Sequence, residues 1–150
     1  MASSFISFNN VGFWTGDFWA ELAAHYISKY IELSPNKFNW LTEMKDHLNH
    51  VSQGEFHGFI SFRLDEYLID DQRIKLFCQY VEAAIIELSK IEQISVQELC
   101  SIIHDRDIRQ PLETFRVIYW LKFLLKLLEE GKGYSADDEI NYDIWSLDKQ

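Results

Sequence analysis

The chain has 150 residues, of which 14 are Lys or Arg and 24 are Asp or Glu, giving a formal net charge of −10 at pH 7. Hydrophobic residues make up 47% of it and aromatic residues 15%, which excludes a chain that is disordered over most of its length. The acidic balance also disfavours duplex binding, because phosphate contacts need a basic surface. Composition therefore predicts a compact acidic protein.

No stretch of the sequence predicts a secretion signal or a membrane span. Residues 1–8 lack Lys and Arg and have no apolar segment before a small-residue cleavage site, unlike a signal peptide. The most apolar stretch, residues 117–128, contains two lysines and is too short to cross a bilayer. Cys78 and Cys100 lie far apart in apolar helical patterns, which favours reduced thiols and a cytoplasmic location.

Five segments have the apolar spacing of amphipathic helices: residues 16–33, 37–52, 71–90, 95–103 and 111–130. Thr15, Asp70 and Ser95 are candidate N-caps, and a Glu follows Ser95 at the spacing of a capping box. Pro111 predicts the start of the last helix, and Gly131 predicts its end. Glu21 lies on the predicted polar face of the first helix.

The last segment determines the predicted architecture. Its interior is apolar on nearly every side, which is typical of a helix surrounded by other helices. We therefore predict an all-α fold, a bundle of five to six helices around a central apolar helix at residues 111–130. Residues 1–150 are expected to form one domain, in which the acidic C-terminal segment 134–150 docks through its apolar side chains.

Two regions, residues 5–14 and 58–64, are aromatic and fit no helical period. The tetrapeptide Phe-Ile-Ser-Phe occurs at 5–8 and again at 59–62, which is compatible with two short strands that pair with each other. An irregular aromatic plug beside the bundle explains both regions equally well. The sequence therefore leaves open whether a small N-terminal strand pair is present.

One metal-ligand pattern lies on the second helix. Glu43, His47 and His50 share one narrow helix face, and carboxylate and imidazole groups are ligands for zinc or iron. His57 is placed to approach from the following loop. The pattern is unspecific, and a solvent-exposed polar face with two ordinary histidines explains it better. We therefore expect no metal and no cofactor, and keep a helical metal-dependent enzyme as an alternative.

Motifs for catalysis are missing from the sequence. It contains no G-x-S-x-G elbow and no glycine-rich phosphate-binding loop. Cys100 and His104 stand four residues apart, but an apolar cysteine beside a helix-terminal histidine is the simpler interpretation. We predict no catalytic residues and a non-enzymatic protein.

Acidic clusters are the remaining functional signal. Carboxylates at helix starts are explained in part by the helix dipole. The C-terminal segment also combines carboxylates with aromatic side chains, which supply steering charge and contact area for a protein partner. The predicted partner-binding residues are Asp65, Glu66, Asp70, Asp71, Asp137, Asp138, Glu139, Tyr142, Asp143 and Trp145.

In its size, acidity, aromatic content and lack of a catalytic motif, the chain resembles bacterial immunity proteins, in particular those of contact-dependent growth inhibition. The resemblance implies a cytoplasmic inhibitor that binds a cognate protein toxin, with a basic nuclease domain as the expected kind, and that binds neither nucleic acid nor membrane. An acidic surface would compete for the cationic residues with which a nuclease holds phosphates. A helical adaptor or homodimer is a further alternative, and the sequence does not determine the oligomeric state.

Overall fold

A computed structural model describes residues 2–135. In this range the chain forms six helices and two antiparallel sheets of two strands each. The elements are β1 (Ser3–Phe8), β2 (Val11–Gly16), α1 (Asp17–Leu33), α2 (Asn39–Ser52), α3 (Leu64–Tyr67), α4 (Asp71–Leu88), β3 (Gln93–Ile94), α5 (Val96–Ile102), β4 (Leu112–Glu113) and α6 (Thr114–Glu130). The all-α prediction is therefore wrong, because these residues form a helix-dominated fold with small sheets.

The N-terminal hairpin is the larger of the two sheets. β1 and β2 pair antiparallel, with Ile6 opposite Phe13. Asn9 and Asn10 form the turn at φ of 51° and 69°, the left-handed conformation that a two-residue type I′ turn requires and that Asn tolerates. Of the two alternatives that the sequence left open, the pairing of residues 5–8 with 59–62 does not occur, because β1 pairs with the strand that follows it.

Residues 59–62 instead run beside the hairpin in an irregular conformation. The backbone N–H of Ile60 donates to the Ser4 hydroxyl at 3.0 Å, and the side chains of Ile60 and Phe62 are buried. This segment therefore corresponds to the aromatic plug that the sequence left as the other possibility.

The second sheet moves the start of the last helix. β4 pairs with β3, so that α6 begins at Thr114 rather than at Pro111. The Thr114 hydroxyl donates to the Ile91 carbonyl at 2.6 Å and holds the start of α6 against the end of the α4–β3 connection. The predicted end at Gly131 is confirmed, since this residue has a φ of 65° immediately after the helix.

Two predicted N-caps are confirmed. The Asp70 carboxylate accepts a hydrogen bond from the Arg73 N–H at 2.9 Å, and the Ser95 hydroxyl accepts one from the Glu98 N–H at 3.1 Å. The Glu98 carboxylate accepts the Tyr26 hydroxyl at 3.2 Å, which joins α5 to α1. The caps thus begin α4 and α5 where local sequence predicts.

Thr15 has a different role from the predicted cap. α1 has Gly16 as its N-cap and no capping side chain. The Thr15 hydroxyl accepts the indole N–H of Trp120 at 2.9 Å, which connects β2 to α6. Trp120 is fully buried and contacts the rings of Phe13 and Phe62 at centroid distances of 5.3 and 5.7 Å. This tryptophan therefore joins the hairpin, the irregular segment and α6.

The core centres on α1 rather than on the predicted central helix at 111–130. α1 packs against α2, α4 and α6, and ten of its 17 residues are buried, against seven of 17 in α6. Phe115 on α6 is 58% exposed. Small side chains at Ala20, Ala23 and Ala24 let neighbouring elements approach α1 closely. Within residues 2–135, no helix has the length and apolar character needed to cross a membrane.

Candidate functional site

Four of the predicted partner-binding residues lie together on the surface. Asp65 and Glu66 are on α3, Asp70 and Asp71 are at the start of α4, and all four are exposed. We refer to these four residues as the acidic edge. The other predicted contacts, Asp137, Asp138, Glu139, Tyr142, Asp143 and Trp145, lie outside the described residues, as does most of the predicted docked segment 134–150.

The single turn of α3 explains why the acidic edge faces outward. Leu64 and Tyr67 are buried, so the two carboxylates between them project away from the core. The Asp65 carboxylate accepts the Asn9 backbone N–H at 2.9 Å, which ties α3 to the hairpin turn. Ile69 is 66% exposed and lies between the two acidic pairs, so the acidic edge also presents apolar surface.

A cleft of about 500 Å³ between α4 and α6 begins at the acidic edge. Asp71, Glu82 and Glu129 supply three carboxylates to its lining, and Lys75 supplies one ammonium group. Ile74, Leu128 and the buried Cys78 form its apolar part. Burial raises the pKa of the Cys78 thiol to about 12, so this cysteine is a neutral apolar contact at neutral pH.

A smaller groove of about 210 Å³ adjoins Asp70. Phe38 is 53% exposed and stacks on Trp40 with the ring centroids 6.5 Å apart. The Arg73 guanidinium lies 4.8 Å from the centre of the Trp40 ring and donates to the Tyr67 carbonyl at 3.1 Å. Phe38 lies in segment 37–52, whose apolar spacing predicts a buried helix face, so the sequence gives no sign of this groove.

A second polar cluster joins α1 to two loops. It consists of Glu21 on α1, His57 in the α2–α3 loop and Asp105 in the α5–β4 loop. Nε2 of His57 lies 2.9 Å from an Asp105 carboxylate oxygen, and its Nδ1 lies 4.0 Å from Glu21 Oε1. One ligand atom from each residue lies within 4.8 Å of the other two, which makes the cluster a candidate metal centre.

Glu21 is the unusual member of this cluster. Its side chain is completely buried, and neither carboxylate oxygen has a hydrogen-bond partner among residues 2–135. Burial raises the pKa of Glu21 to about 7, and the negative charge of Asp105 adds to the rise while His57 and Arg106 oppose it. The prediction that Glu21 faces away from the core is wrong.

A neighbouring carboxylate holds the loop that carries His57. Asp17 is buried, and its two oxygens accept the Ser4 hydroxyl at 2.7 Å and the Gly58 backbone N–H at 2.6 Å. Gly54 and Gly58 flank His57 at φ of 80° and 76°, a left-handed conformation that glycine adopts at little cost. These contacts place His57 beside Glu21.

The predicted set of Glu43, His47 and His50 does not form this centre. His47 is buried rather than solvent-exposed, and its Nε2 lies 2.6 Å from the Ser61 carbonyl oxygen because the segment after α2 folds back over it. Burial lowers the pKa of His47. His50 is exposed, with its Nδ1 3.2 Å from a Glu55 carboxylate oxygen.

The described part of the chain thus presents two candidate sites: the acidic edge with its clefts, and the cluster of Glu21, His57 and Asp105. In comparisons with known proteins, no family model matches the chain, and no curated protein or solved structure matches it either.

Proposed function

We propose that the chain is a non-enzymatic binding protein that neutralises a basic protein partner, as toxin-immunity proteins do. The observation that supports this most is the position of the acidic edge, whose exposed carboxylates border two clefts. Exposed charge accelerates association with a partner of opposite charge, whereas buried contacts in a cleft slow dissociation. The acidic edge and its clefts combine both properties.

The cleft between α4 and α6 suits a lysine or arginine side chain of the partner. Ile74 and Leu128 offer apolar surface to the aliphatic stem of such a side chain. Asp71, Glu82 and Glu129 offer carboxylates to its charged end, and hydrogen bonds between ionised groups are stronger than those between neutral ones. The local charge therefore selects for a cationic partner.

The groove beside Asp70 adds aromatic contact area. Phe38 and Trp40 are partly exposed and already stacked, so little side-chain entropy is lost when a partner covers them. Arg73 is held by Trp40 and by the Tyr67 carbonyl, which leaves Asp70 as the charge at the rim. Aromatic residues in such positions commonly supply much of the binding energy of an interface.

The proposed partner is the basic domain of a bacterial toxin, with a nuclease domain as the favoured kind. A nuclease holds phosphates with cationic side chains, and covering these with the acidic edge would block substrate. We propose that the inhibition takes place in the cytoplasm, where Cys78 and Cys100 would stay reduced, as they are in the structure.

The test compares two charge variants as baits in a lysate of the source organism. The edge variant carries Asp65→Asn, Glu66→Gln and Asp71→Asn. Asp70 is left unchanged because it caps α4. We expect wild type to retain a basic protein at an ionic strength of about 0.15 M and to release it at about 1 M, because the Debye length falls from about 8 Å to about 3 Å.

The control variant carries Glu87→Gln, Glu92→Gln and Glu113→Gln. These residues are exposed and lie near the other end of α4, where Glu87 is about 24 Å along the helix from Asp71. The control therefore makes the same change in net charge far from the acidic edge. We expect the edge variant to associate about tenfold more slowly than either wild type or the control.

An inhibition assay shows whether a protein that the bait retains is the target of the chain. The purified partner should lose its toxic or nucleolytic activity with one equivalent of the chain, and the edge variant should inhibit less than the control. Equal inhibition by the two variants would show that the acidic edge is not the contact. Retained proteins whose activity the chain does not change would contradict the proposal that it is an inhibitor.

A further inference from the structure

We propose that Glu21, His57 and Asp105 form a binding site for one zinc ion. This site is separate from the acidic edge, and the proposal does not depend on the chain being an inhibitor. Its three ligands come from α1 and from the two loops that follow α2 and α5, so the site exists only in the folded chain.

The distances suit a zinc site that closes by a small movement. Zinc bonds of about 2.0–2.2 Å in a tetrahedron place neighbouring donor atoms about 3.3–3.6 Å apart. The candidate donors lie within 4.8 Å of one another, and the nitrogen of His57 nearest to Asp105 is already 2.9 Å from its carboxylate oxygen. His57 and Asp105 lie on loops and their side chains are 49% and 27% exposed, so both can take part in the remaining adjustment of about 1 Å.

The buried carboxylate of Glu21 is the observation that points to a cation. A completely buried carboxylate without a hydrogen bond is rare, because burial of a charge is costly unless the charge is paired or coordinates a metal. Asp17 lies nearby, but its two oxygens accept hydrogen bonds from Ser4 and Gly58. Glu21 is therefore the inner carboxylate that is available to a cation.

Arg106 is a second basic group near the cluster. This residue follows Asp105, and its guanidinium carbon lies 5.5 Å from the centre of the Phe18 ring. It reduces the negative potential at Glu21 without supplying a hydrogen bond to either of the Glu21 oxygens. With its ligands deprotonated, as zinc binding requires, a site with two carboxylates and one neutral imidazole keeps a net negative charge even beside this guanidinium.

The donor set favours zinc over the lighter divalent cations. Magnesium and calcium bind through oxygen ligands, whereas an imidazole nitrogen beside carboxylate oxygens is a common zinc environment. Three protein ligands leave a fourth tetrahedral position for water or for a group from another molecule. Zinc bound here would join α1 to both loops and stabilise the arrangement that places His57 beside Glu21.

The test uses two histidines in similar surroundings. His57 and His50 are 49% and 58% exposed, and each has a ring nitrogen near one carboxylate oxygen, at 2.9 and 3.2 Å. Chelator-treated protein is titrated with zinc in competition with a chromophoric chelator. We expect one zinc ion per wild-type chain, at least tenfold weaker binding in His57→Ala, and binding within twofold of wild type in His50→Ala.

A second measurement tests the buried ligand. At zinc concentrations a hundred times the dissociation constant, binding to the folded state alone should raise the melting temperature of wild type by about 5–10 °C. In Glu21→Gln, zinc should raise the melting temperature much less. If circular dichroism shows that His57→Ala is unfolded, Asp105→Asn replaces it in the zinc titration.

Three results would contradict the zinc proposal. The first is wild-type protein that binds no zinc, and the second is equal zinc binding by His57→Ala and His50→Ala. Weaker zinc binding in His50→Ala alone would instead place the site on α2. The edge variant with changes at Asp65, Glu66 and Asp71 should bind zinc as wild type does. Failure of the zinc proposal and failure of the inhibitor proposal can therefore be told apart.

Discussion

The hydrogen bond between Thr15 and Trp120 joins the hairpin to α6, and we predict that its removal destabilises the fold. The indole N–H donates to the Thr15 hydroxyl at 2.9 Å, and the hydroxyl donates to the Gly16 carbonyl at 3.1 Å. Thr15→Val keeps the side-chain volume but leaves the buried indole N–H without an acceptor. Such a loss costs about 1–3 kcal/mol, so we expect the free energy of unfolding to fall by that amount. The melting temperature should fall by about 2–4 °C for each kcal/mol.

A double-mutant cycle with Trp120→Phe isolates the hydrogen bond. Phenylalanine has no N–H, so Thr15→Val should cost about 1–2 kcal/mol less in that background than in wild type. Stabilities are measured by urea unfolding followed by far-ultraviolet circular dichroism. Thr15→Ser is the control, because serine keeps the hydroxyl and should retain most of the stability. Equal costs of Thr15→Val in the two backgrounds would refute the reasoning, as would a serine variant as unstable as the valine variant.

Two further predictions concern the hairpin and the buried carboxylate. A methyl group at Gly12 would lie against the backbone of β1, 2.7 Å from one of its Cα atoms, whereas one at Gly16 would lie 3.7 Å from a tryptophan side chain. We therefore expect Gly12→Ala to lower the free energy of unfolding by about 1–3 kcal/mol and Gly16→Ala to leave it nearly unchanged, as measured by urea unfolding. A Gly12 variant as stable as wild type would contradict the close approach of the strands. For Glu21, the unfolded chain releases its proton near pH 4.5 but the folded chain holds it to about pH 7. The stability of metal-free protein should therefore fall as pH rises through this window, by at most about 3 kcal/mol, because the unfolded state binds fewer protons. Glu21→Gln should lack this decline, so the difference in stability between wild type and variant measures the contribution of Glu21. Wild type and variant whose stability changes in parallel with pH would show that Glu21 has an ordinary pKa.

Three local signals in the sequence predicted local structure correctly, whereas the predicted roles of Thr15 and Pro111 were wrong. Asp70, Ser95 and Gly131 act on backbone groups within a few residues of themselves, so their roles can be derived from neighbouring positions. The hairpin was harder to predict because Phe5 and Trp14 occupy its more exposed side. Their rings pack at a centroid distance of 5.3 Å, and they hide the alternation of apolar and polar residues that identifies a strand.

The two candidate sites also differ in how far the sequence alone predicts them. The acidic edge was predictable because its four carboxylates lie within seven consecutive residues, whereas its main cleft depends on the packing of α4 against α6. Glu21, His57 and Asp105 have no common period or motif, since they meet only through tertiary structure. The sequence offered one clue, a histidine in a short loop between Gly54 and Gly58, but its position after the second helix suggested an approach to Glu43, His47 and His50 instead.

The contacts of the hairpin also determine when the fold can be completed during synthesis. Thr15 and Trp120 are 105 residues apart, and Gly12 pairs with Tyr134 through two backbone hydrogen bonds of 2.7 and 2.8 Å. A ribosome adding about 5–20 residues per second takes roughly 5–20 s to make the chain between Thr15 and Trp120. Throughout that interval the side chain of Phe13, which is buried in the finished fold against Trp120 and Phe123, lacks its cover from α6. The nascent hairpin is thus an apolar surface that a ribosome-associated chaperone can recognise until α6 has emerged.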